Sequence, residues 1–398
     1  MENGESSSSS NERHAVCKDH SCSRQFRNGS NPWMARYVYG LIFLVATLLA
    51  WAARDYGRNA MMEVKRLRGC EDSRDCLGAE AVLRVSLGCF TFFIIMFFST
   101  VGTSKMDEPR DSWHSGWWSA KIVMWIAFTT IPFLLPSGII KLYGEIAHFG
   151  AGVFLLIQLV SIISLIMWLN DRFQPEKSAE RCQIYLMLLA MTAYFVCLGG
   201  IILMYIWYAP EPSCVLNIFF ITSTLVLLQL MTSVALHPKV NAGILTPGLM
   251  GLYVVFICWC AIRSEPAVGK CIRNAGATDK TDWLTIISFV VAVLAIVIAT
   301  FSTGIDSKCF QFRKDGTHAQ DDVPYGYGFF HLVFATGAMY FAMLLIGWNT
   351  HLSMKKWTID VGWTSTWVRI VNELLAVCVY IWMLVAPLVW GCWQTEST

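Results

Sequence analysis

The sequence predicts an all-α, polytopic membrane protein of about ten transmembrane helices, and two observations lead to this fold class. Only 15% of the 398 residues are charged, whereas soluble domains usually carry about 25%. Apolar runs of about 20 residues recur along the chain, and each can cross about 30 Å of hydrocarbon as a helix. Because soluble cores do not need runs of that length, the order of the residues favours a membrane protein.

Tryptophan and tyrosine lie at many ends of the apolar runs, as expected at the level of the lipid headgroups. We predict membrane spans at 35–53, 81–102, 117–136, 147–169, 183–208, 214–236, 242–262, 284–303, 325–348 and 367–391.

The spans and the short loops between them account for nearly the whole chain. Residues 1–32 are polar, contain a run of serines, and are predicted to be a disordered tail. Residues 33–391 form the predicted transmembrane domain, and 392–398 form a short C-terminal tail. No loop is long enough for a soluble catalytic domain, so any chemistry must occur within or beside the membrane.

The net charge of +2 does not indicate a strongly basic surface of the kind that binds nucleic acids, so no nucleic-acid partner is expected. Lys and Arg are shared almost equally between the two sides of the predicted bundle. The positive-inside rule therefore does not decide the orientation.

Fourteen cysteines are present, and those within apolar runs are interpreted as small hydrophobic residues. Cys70 and Cys76 flank a short polar stretch, and Cys271 lies in another polar loop. A disulfide between Cys70 and Cys76 is predicted only if their loop faces an oxidising compartment. No Cys-x-x-Cys pair occurs, so no structural metal site is expected.

Two enzyme motifs match in part. The segment from His14 to Asp19 has the spacing of glycerolipid acyltransferases but lies in the polar tail. The segment from Asp315 to Gln320 begins like the CDP-alcohol phosphotransferase signature, with Gln320 where that signature needs arginine. The helix after it has no acidic residue, so the two-carboxylate metal site of that chemistry cannot form. The sequence therefore predicts a protein without catalysis, metal or cofactor.

Ionisable residues inside spans are costly and are default functional candidates. Arg84 lies a few residues into the second span, where it could bind a lipid phosphate or extend to the interface. Lys121 shares a helical face with His114, Trp118 and Trp125. That face could hold a lipid headgroup, or Lys121 could extend to the interface among belt tryptophans.

The fourth span carries a polar strip formed by Gln158, Ser161 and Ser164. Gln158 and Ser161 share one face, and Ser164 is offset by one helical step. Small and amide side chains can join helices in the membrane. The strip could alternatively line a groove for lipid headgroups or serine, so both interpretations stay open.

Three further residues of the last two spans are candidates. His331 begins a face of small residues, and its alternatives are a packed, hydrogen-bonded histidine or a catalytic one. Arg369 and Glu373 are four residues apart, so they can pair on one helix face. The pair could be structural, or it could form a gate or a serine-binding site.

Short stretches in order from about residue 35 to residue 391 match a known family: His114–Trp118 with Lys121, Gly152–Gln158, Cys214 with Asn217, His237–Lys239, Ser264–Pro266 before Cys271, Tyr325–His331 through Trp348, and Trp367–Arg369 through Pro387. By these stretches the chain resembles the serine incorporator (Serinc, or TMS membrane protein) family and looks like a plant member.

The resemblance implies ten helices in two subdomains, crossed by a long tilted helix at about 138–175, with the N-terminus in the cytosol. It implies a multi-pass protein of the endomembrane system or plasma membrane that brings serine to the enzymes making phosphatidylserine and sphingolipids, or moves lipids across the bilayer. Family members often carry Asp and then His near the end of the long helix. Ser164 and Met167 stand there in this chain, which predicts poorer handling of serine than of lipid.

The main hypothesis is a non-enzymatic protein whose partners are serine and membrane phospholipids, and which moves their headgroups across or into the bilayer. A second hypothesis is a scaffold for serine palmitoyltransferase or phosphatidylserine synthase. A third is an ion-coupled amino-acid transporter, which would favour broken helices and buried charge.

Overall fold

A computed structural model describes residues 32–57, 76–105, 108–172, 180–266, 271, 283–305, 323–349 and 357–396. Within these residues the chain forms α-helices and no strands. The helices are α1 Pro32–Asp55, α2 Cys76–Thr100, α3 Pro109–Ser115, α4 Trp118–Thr130, α5 Ser137–Arg172, α6 Glu180–Tyr208, α7 Val215–Ala235, α8 Leu245–Arg263, α9 Trp283–Ile305, α10 Tyr327–Ile346 and α11 Trp363–Glu396.

The predicted fold class is confirmed. Eight of the described helices are long and apolar enough to cross a membrane, and the bent pair of α3 and α4 gives a ninth. Helix α9 contributes a shorter apolar segment, Phe289–Thr303. Together these account for the ten predicted spans. The tail 1–32 lies almost wholly outside the described residues, whereas α11 continues to Glu396, into the predicted C-terminal tail.

The third predicted span, 117–136, is broken near its start. Helix α3 ends at Ser115, and the segment Trp118–Leu134 then continues at an angle of 68°. Trp117 between them has a left-handed backbone with φ of 57°, a conformation that is uncommon for a bulky residue. The break leaves backbone carbonyls without helical partners, and other side chains must satisfy them.

Helix α5 joins two hydrophobic cores. It is 36 residues long, or about 54 Å. Its first half packs Tyr143 and Phe154 into a core shared with α2 and α10. Its second half packs Leu159 and Ile163 into a separate core shared with α6, α7, α8 and α11. The chain therefore has two subdomains, and α5 runs through both, as the resemblance implies.

A disulfide joins Cys214, just before α7, to Cys271, beyond the end of α8. The two cysteines come together because α7 and α8 run antiparallel and the two outer ends of this pair meet. The predicted bridge between Cys70 and Cys76 lies outside the described side chains. We call the end of the bundle that carries Cys214 and Cys271 the disulfide end.

The last residues of α1 also lie at the disulfide end. Arg54 Nη1 donates to the carbonyls of Leu345 at 2.6 Å and Thr358 at 2.9 Å. The chain then continues from Thr358 to Gly362, whose N–H donates to the carbonyl of Ser264, at the end of α8, at 2.7 Å. Helix α1 therefore begins at the opposite end of the bundle.

Candidate functional site

A cavity of about 400 Å³ lies between the two subdomains, with walls from α5, α8, α9, α10 and α11. This volume is in the range of pockets that hold small ligands. Most of the wall is apolar, and on α9 it includes three small residues, Ala292, Ala295 and Ala299. The main polar groups of the wall are Gln158, Tyr253, Asp360, Arg369 and Asn372.

An ion pair between Arg369 and Asp360 is the main charged feature of the cavity. Both Nε and Nη2 of Arg369 bond to Asp360 Oδ2. Ser264 Oγ donates to the same oxygen at 3.3 Å. The other oxygen, Oδ1, is buried and has no hydrogen-bond partner among the described residues. The pair thus offers a cation and an anion with spare bonding capacity at the cavity wall.

Neutral polar groups continue along the wall. Asn372 Nδ2 donates to the hydroxyl of Tyr253 at 3.2 Å, joining α11 to α8. Gln158 lies on α5 and is half-buried, with its amide in the lining. Because an amide can both donate and accept, Gln158 can bond a headgroup of either sign.

The loop between α10 and α11 places Asp360 at the cavity. Its described part has three non-glycine residues with left-handed backbones, Trp348, Trp357 and Asp360, with φ of 59°, 62° and 59°. Such conformations are held only where the surroundings determine them, and they cluster at functional sites. Here the Asp360 N–H donates to the Leu344 carbonyl at 2.8 Å, and Asp55 Oδ2 accepts from the Trp357 N–H at 3.0 Å. These two bonds tie the loop to α10 and α1, in the subdomain that contains α2. The Arg369–Asp360 pair and the bond from the Gly362 N–H to the Ser264 carbonyl tie it to the other subdomain.

The other two members of the predicted strip lie outside the cavity lining. Ser161 is buried, and its hydroxyl has no partner among the described residues. Ser164 is half-buried. Of the predicted strip, the structure therefore brings only Gln158 together with Arg369.

Arg369 and Glu373 do not pair in the observed structure, where Arg369 bonds to Asp360. Glu373 Oε1 accepts a hydrogen bond from Thr224 Oγ1 of α7 at 2.7 Å, and Oε2 has no partner among the described residues. Arg369 points toward the loop before α11, where Asp360 supplies the carboxylate. Helical spacing could not predict this partner, because Asp360 lies outside the helices.

Neither predicted role of Arg84 fits its surroundings. Its side chain is fully buried, so it neither reaches the interface nor touches lipid. Its guanidinium pairs with Glu80 and donates to the carbonyls of Pro132 and Leu135, the latter at 2.8 Å. Arg84 therefore holds the turn between α4 and α5 against α2.

Lys121 and His331, predicted separately, both contact His114. Lys121 Nζ is fully buried and donates to the carbonyls of His114 at 2.8 Å and Gly116 at 2.7 Å, at the break before α4. It also lies 4.5 Å from the ring of Trp118. His331 Nε2 lies 3.1 Å from His114 Nδ1. In this cluster Lys121 satisfies the backbone carbonyls at the helix break. The predicted headgroup role of Lys121 and the predicted catalytic role of His331 do not fit these contacts.

Glu265, just beyond α8, is a buried carboxyl next to Ser264 at the disulfide end. Burial raises its pKa from 4.5 to about 7, and a hydrogen bond with Asn217 lowers the pKa by a smaller amount. Because the folded state then binds the proton more tightly than the unfolded chain, Glu265 stabilises the fold below about pH 4.5. That contribution is lost as pH rises toward 7.

We expect Glu265→Gln to remove this dependence, because glutamine resembles the protonated acid. The melting temperatures of variant and wild type in detergent should agree at pH 4, and the variant should melt higher at pH 8. An equal difference at both pH values would show that the carboxyl does not titrate in this range.

Asp360, Tyr253 and Asn372 were missed by the sequence analysis. Asp360 lies in a loop, and the other two look like ordinary polar residues of apolar helices. Among the described residues, no group of three His, Cys, Asp or Glu side chains is placed to hold a metal ion.

A family model described as serine incorporator (Serinc) matches residues 14–321 and 311–391. A probable serine incorporator of Nematostella vectensis is 26% identical, over 90% of each chain. One of Dictyostelium discoideum is 25% identical over 80% of this chain and 82% of its own. Serine incorporator 3 of Bos taurus is 23% identical over 91% and 92%. Since the family model covers nearly every described helix, the chain belongs to the serine incorporator family, as a multi-pass membrane protein.

Proposed function

We propose that the protein binds phospholipid headgroups and serine in the cavity between its subdomains and moves phospholipids across the bilayer. In this way it supports the incorporation of serine into membrane lipids such as phosphatidylserine and sphingolipids, without catalysing a reaction itself. The observation that carries the proposal is the Arg369–Asp360 pair in the wall of an otherwise apolar cavity. The names of the relatives, serine incorporators, support the link to serine.

The physical basis is the cost of moving a polar group through hydrocarbon. A charged group taken from water without partners loses several kcal/mol or more. The cavity offers Arg369 to a phosphate or carboxylate, Asp360 to an ammonium, and Gln158 and Asn372 to either. These groups replace water around a zwitterionic headgroup, while the acyl chains remain in lipid.

Gln158→Leu tests this route, because it removes one polar group from the wall and keeps a side chain of similar size. In proteoliposomes of purified protein we expect fluorescent phospholipid to flip about fivefold more slowly, the effect of one lost hydrogen bond. The matched control is Ser161→Ala, one turn further on the same helix but outside the cavity lining, which should flip lipid at the wild-type rate.

Equal rates for Gln158→Leu and wild type, with intact folding, would contradict the cavity as the route. A folded wild-type protein that moves no lipid, but co-purifies with serine palmitoyltransferase or phosphatidylserine synthase, would support the scaffold hypothesis instead.

We also propose that the N-terminus lies in the cytosol. Disulfides persist in oxidising compartments, and Cys214–Cys271 lies at the end of the bundle opposite the start of α1. In sealed microsomes with the cytosolic side outward, added protease should cut the tail 1–32 and spare the loop around Cys271. Protection of the tail would contradict this orientation. A cytosolic tail also predicts that the sequon at Asn28 carries no glycan.

A further inference from the structure

We propose that Glu373 is an alternative partner of Arg369, and that exchange of this arginine from Asp360 to Glu373 opens the cavity at the disulfide end. The inference rests on the proposed function in one respect, since it takes the cavity as the headgroup site. Glu373 then acts as a positioning residue for that site.

Arg369 has two carboxylates within reach of its helix position. Asp360, on the loop before α11, holds the guanidinium in the observed state. Glu373 lies four residues further along α11, about 6 Å along the axis and about 40° around it. Side chains at this spacing are neighbours on a helix surface. A change of side-chain rotamer therefore carries the guanidinium from one carboxylate to the other.

Glu373 has unused bonding capacity in the observed state. It is 2% exposed. Thr224 satisfies Oε1, and Oε2 has no partner among the described residues. A buried carboxylate oxygen without a partner destabilises the state that contains it. Arginine has five N–H donors and would satisfy that oxygen. The new bond therefore offsets part of the free energy lost when the Arg369–Asp360 pair breaks.

Arg369 has room to move. Among the described residues its guanidinium bonds to Asp360 alone. Its side chain is 20% exposed and lines the cavity. The exchange therefore breaks no other described contact of the guanidinium.

The exchange frees the Asp360 side chain. With Arg369 gone, Asp360 Oδ2 keeps only the longer bond from Ser264, and the loop loses its side-chain tie to α11. The backbone of the loop stays in place, because the Asp360 N–H still donates to Leu344 and the Gly362 N–H still donates to Ser264. The cavity opens because the Arg369 side chain leaves its wall, and the Asp360 carboxylate is then exposed to water at the disulfide end.

Cys260, a natural residue of the cavity wall, reports this opening. Its alkylation by a membrane-impermeant maleimide is measured by peptide mass spectrometry on purified protein in nanodiscs, with the fully buried Cys89 as internal reference. The variants are Asp360→Asn, which removes the closed pair, and Glu373→Gln, which removes the open pair but keeps the bond with Thr224. Both replace one carboxyl group by an amide of nearly the same size.

Opposite effects are expected. Asp360→Asn should raise the alkylation rate about tenfold, and Glu373→Gln should lower it about tenfold, as expected for loss of one buried partner from one state only. The double variant should lie between them. Glu265→Gln, a buried carboxyl at the same end without contact to Arg369, should leave the rate unchanged.

Changes in the same direction for both single variants, or a wild-type rate for Glu373→Gln, would overturn the exchange. Alkylation needs no lipid movement, so the two proposals fail separately. The expected alkylation pattern in a protein that flips no lipid would support the exchange and overturn the proposed function.

Discussion

Gly88→Ala is expected to destabilise the protein by about 3 kcal/mol, the upper part of the range for overpacking a tight contact. A Cβ added to Gly88 of α2 would lie 2.4 Å from the Phe128 carbonyl oxygen and 2.7 Å from the Thr129 Cα. Both atoms belong to the backbone of α4, so no rotamer change relieves the clash. The two helices must separate, and the melting temperature in detergent should fall by several degrees.

Gly199→Ala is the matched control. Gly199 also lies within a long apolar helix, but a Cβ there meets no atom within 4 Å. Alanine has a higher helix propensity than glycine, by about 1 kcal/mol in water. The control should therefore melt at or slightly above the wild-type temperature. A Gly88→Ala protein as stable as this control would contradict the close approach of α2 and α4.

Arg84→Met is expected to have a comparably large effect, with a loss of about 3–5 kcal/mol, as when one partner of a buried ion pair is removed. The substitution leaves the carboxylate of Glu80 without its guanidinium and the carbonyls of Pro132 and Leu135 without their donor. Methionine fills much of the same volume, so the loss reflects unpaired polar groups rather than a cavity. Thermal unfolding followed by size-exclusion chromatography would measure the effect.

Two comparisons isolate this cause. Arg110→Met changes an exposed arginine and removes its bond to the Val101 carbonyl at 2.7 Å, and it should cost no more than about 0.5 kcal/mol. Combining Arg84→Met with Glu80→Gln removes the buried carboxylate that has lost its guanidinium, and it should recover part of the lost stability. Equal losses for Arg84→Met and Arg110→Met would show that the buried network is not stabilising.

The long apolar runs were sufficient to predict the helices, because each span must satisfy its own backbone hydrogen bonds in lipid. They did not show which way a polar residue faces, because α2, α4 and α5 are apolar on nearly every face. Arg84 and Lys121 therefore looked like residues facing lipid or the interface, although both are buried against backbone carbonyls.

Contacts made by loops were also beyond the sequence analysis. Asp360 comes to Arg369 only because a loop with left-handed residues folds over the ends of the helices. Likewise Cys214 meets Cys271 across 57 residues because α7 and α8 run antiparallel. The nearby pair Cys70 and Cys76 was the simpler choice by spacing. Such contacts follow from tertiary packing rather than from local periodicity.

Filling the cavity tests the central claim most directly. Ala295→Trp places a large side chain in the small-residue wall of the cavity. Val291→Trp, on the same helix but outside the cavity lining, is the control for adding tryptophan. Both variants and the wild type would be reconstituted at equal density, and fluorescent-lipid flipping and radiolabelled serine uptake would be measured in the same vesicles.

We predict that the wild type and Val291→Trp flip lipid at equal rates and that Ala295→Trp flips at least about tenfold more slowly, as expected when a route is closed sterically. Serine uptake should be weak in all three. Lipid flipping that is unchanged in a folded Ala295→Trp protein would contradict the claim that headgroups pass through the cavity between the subdomains.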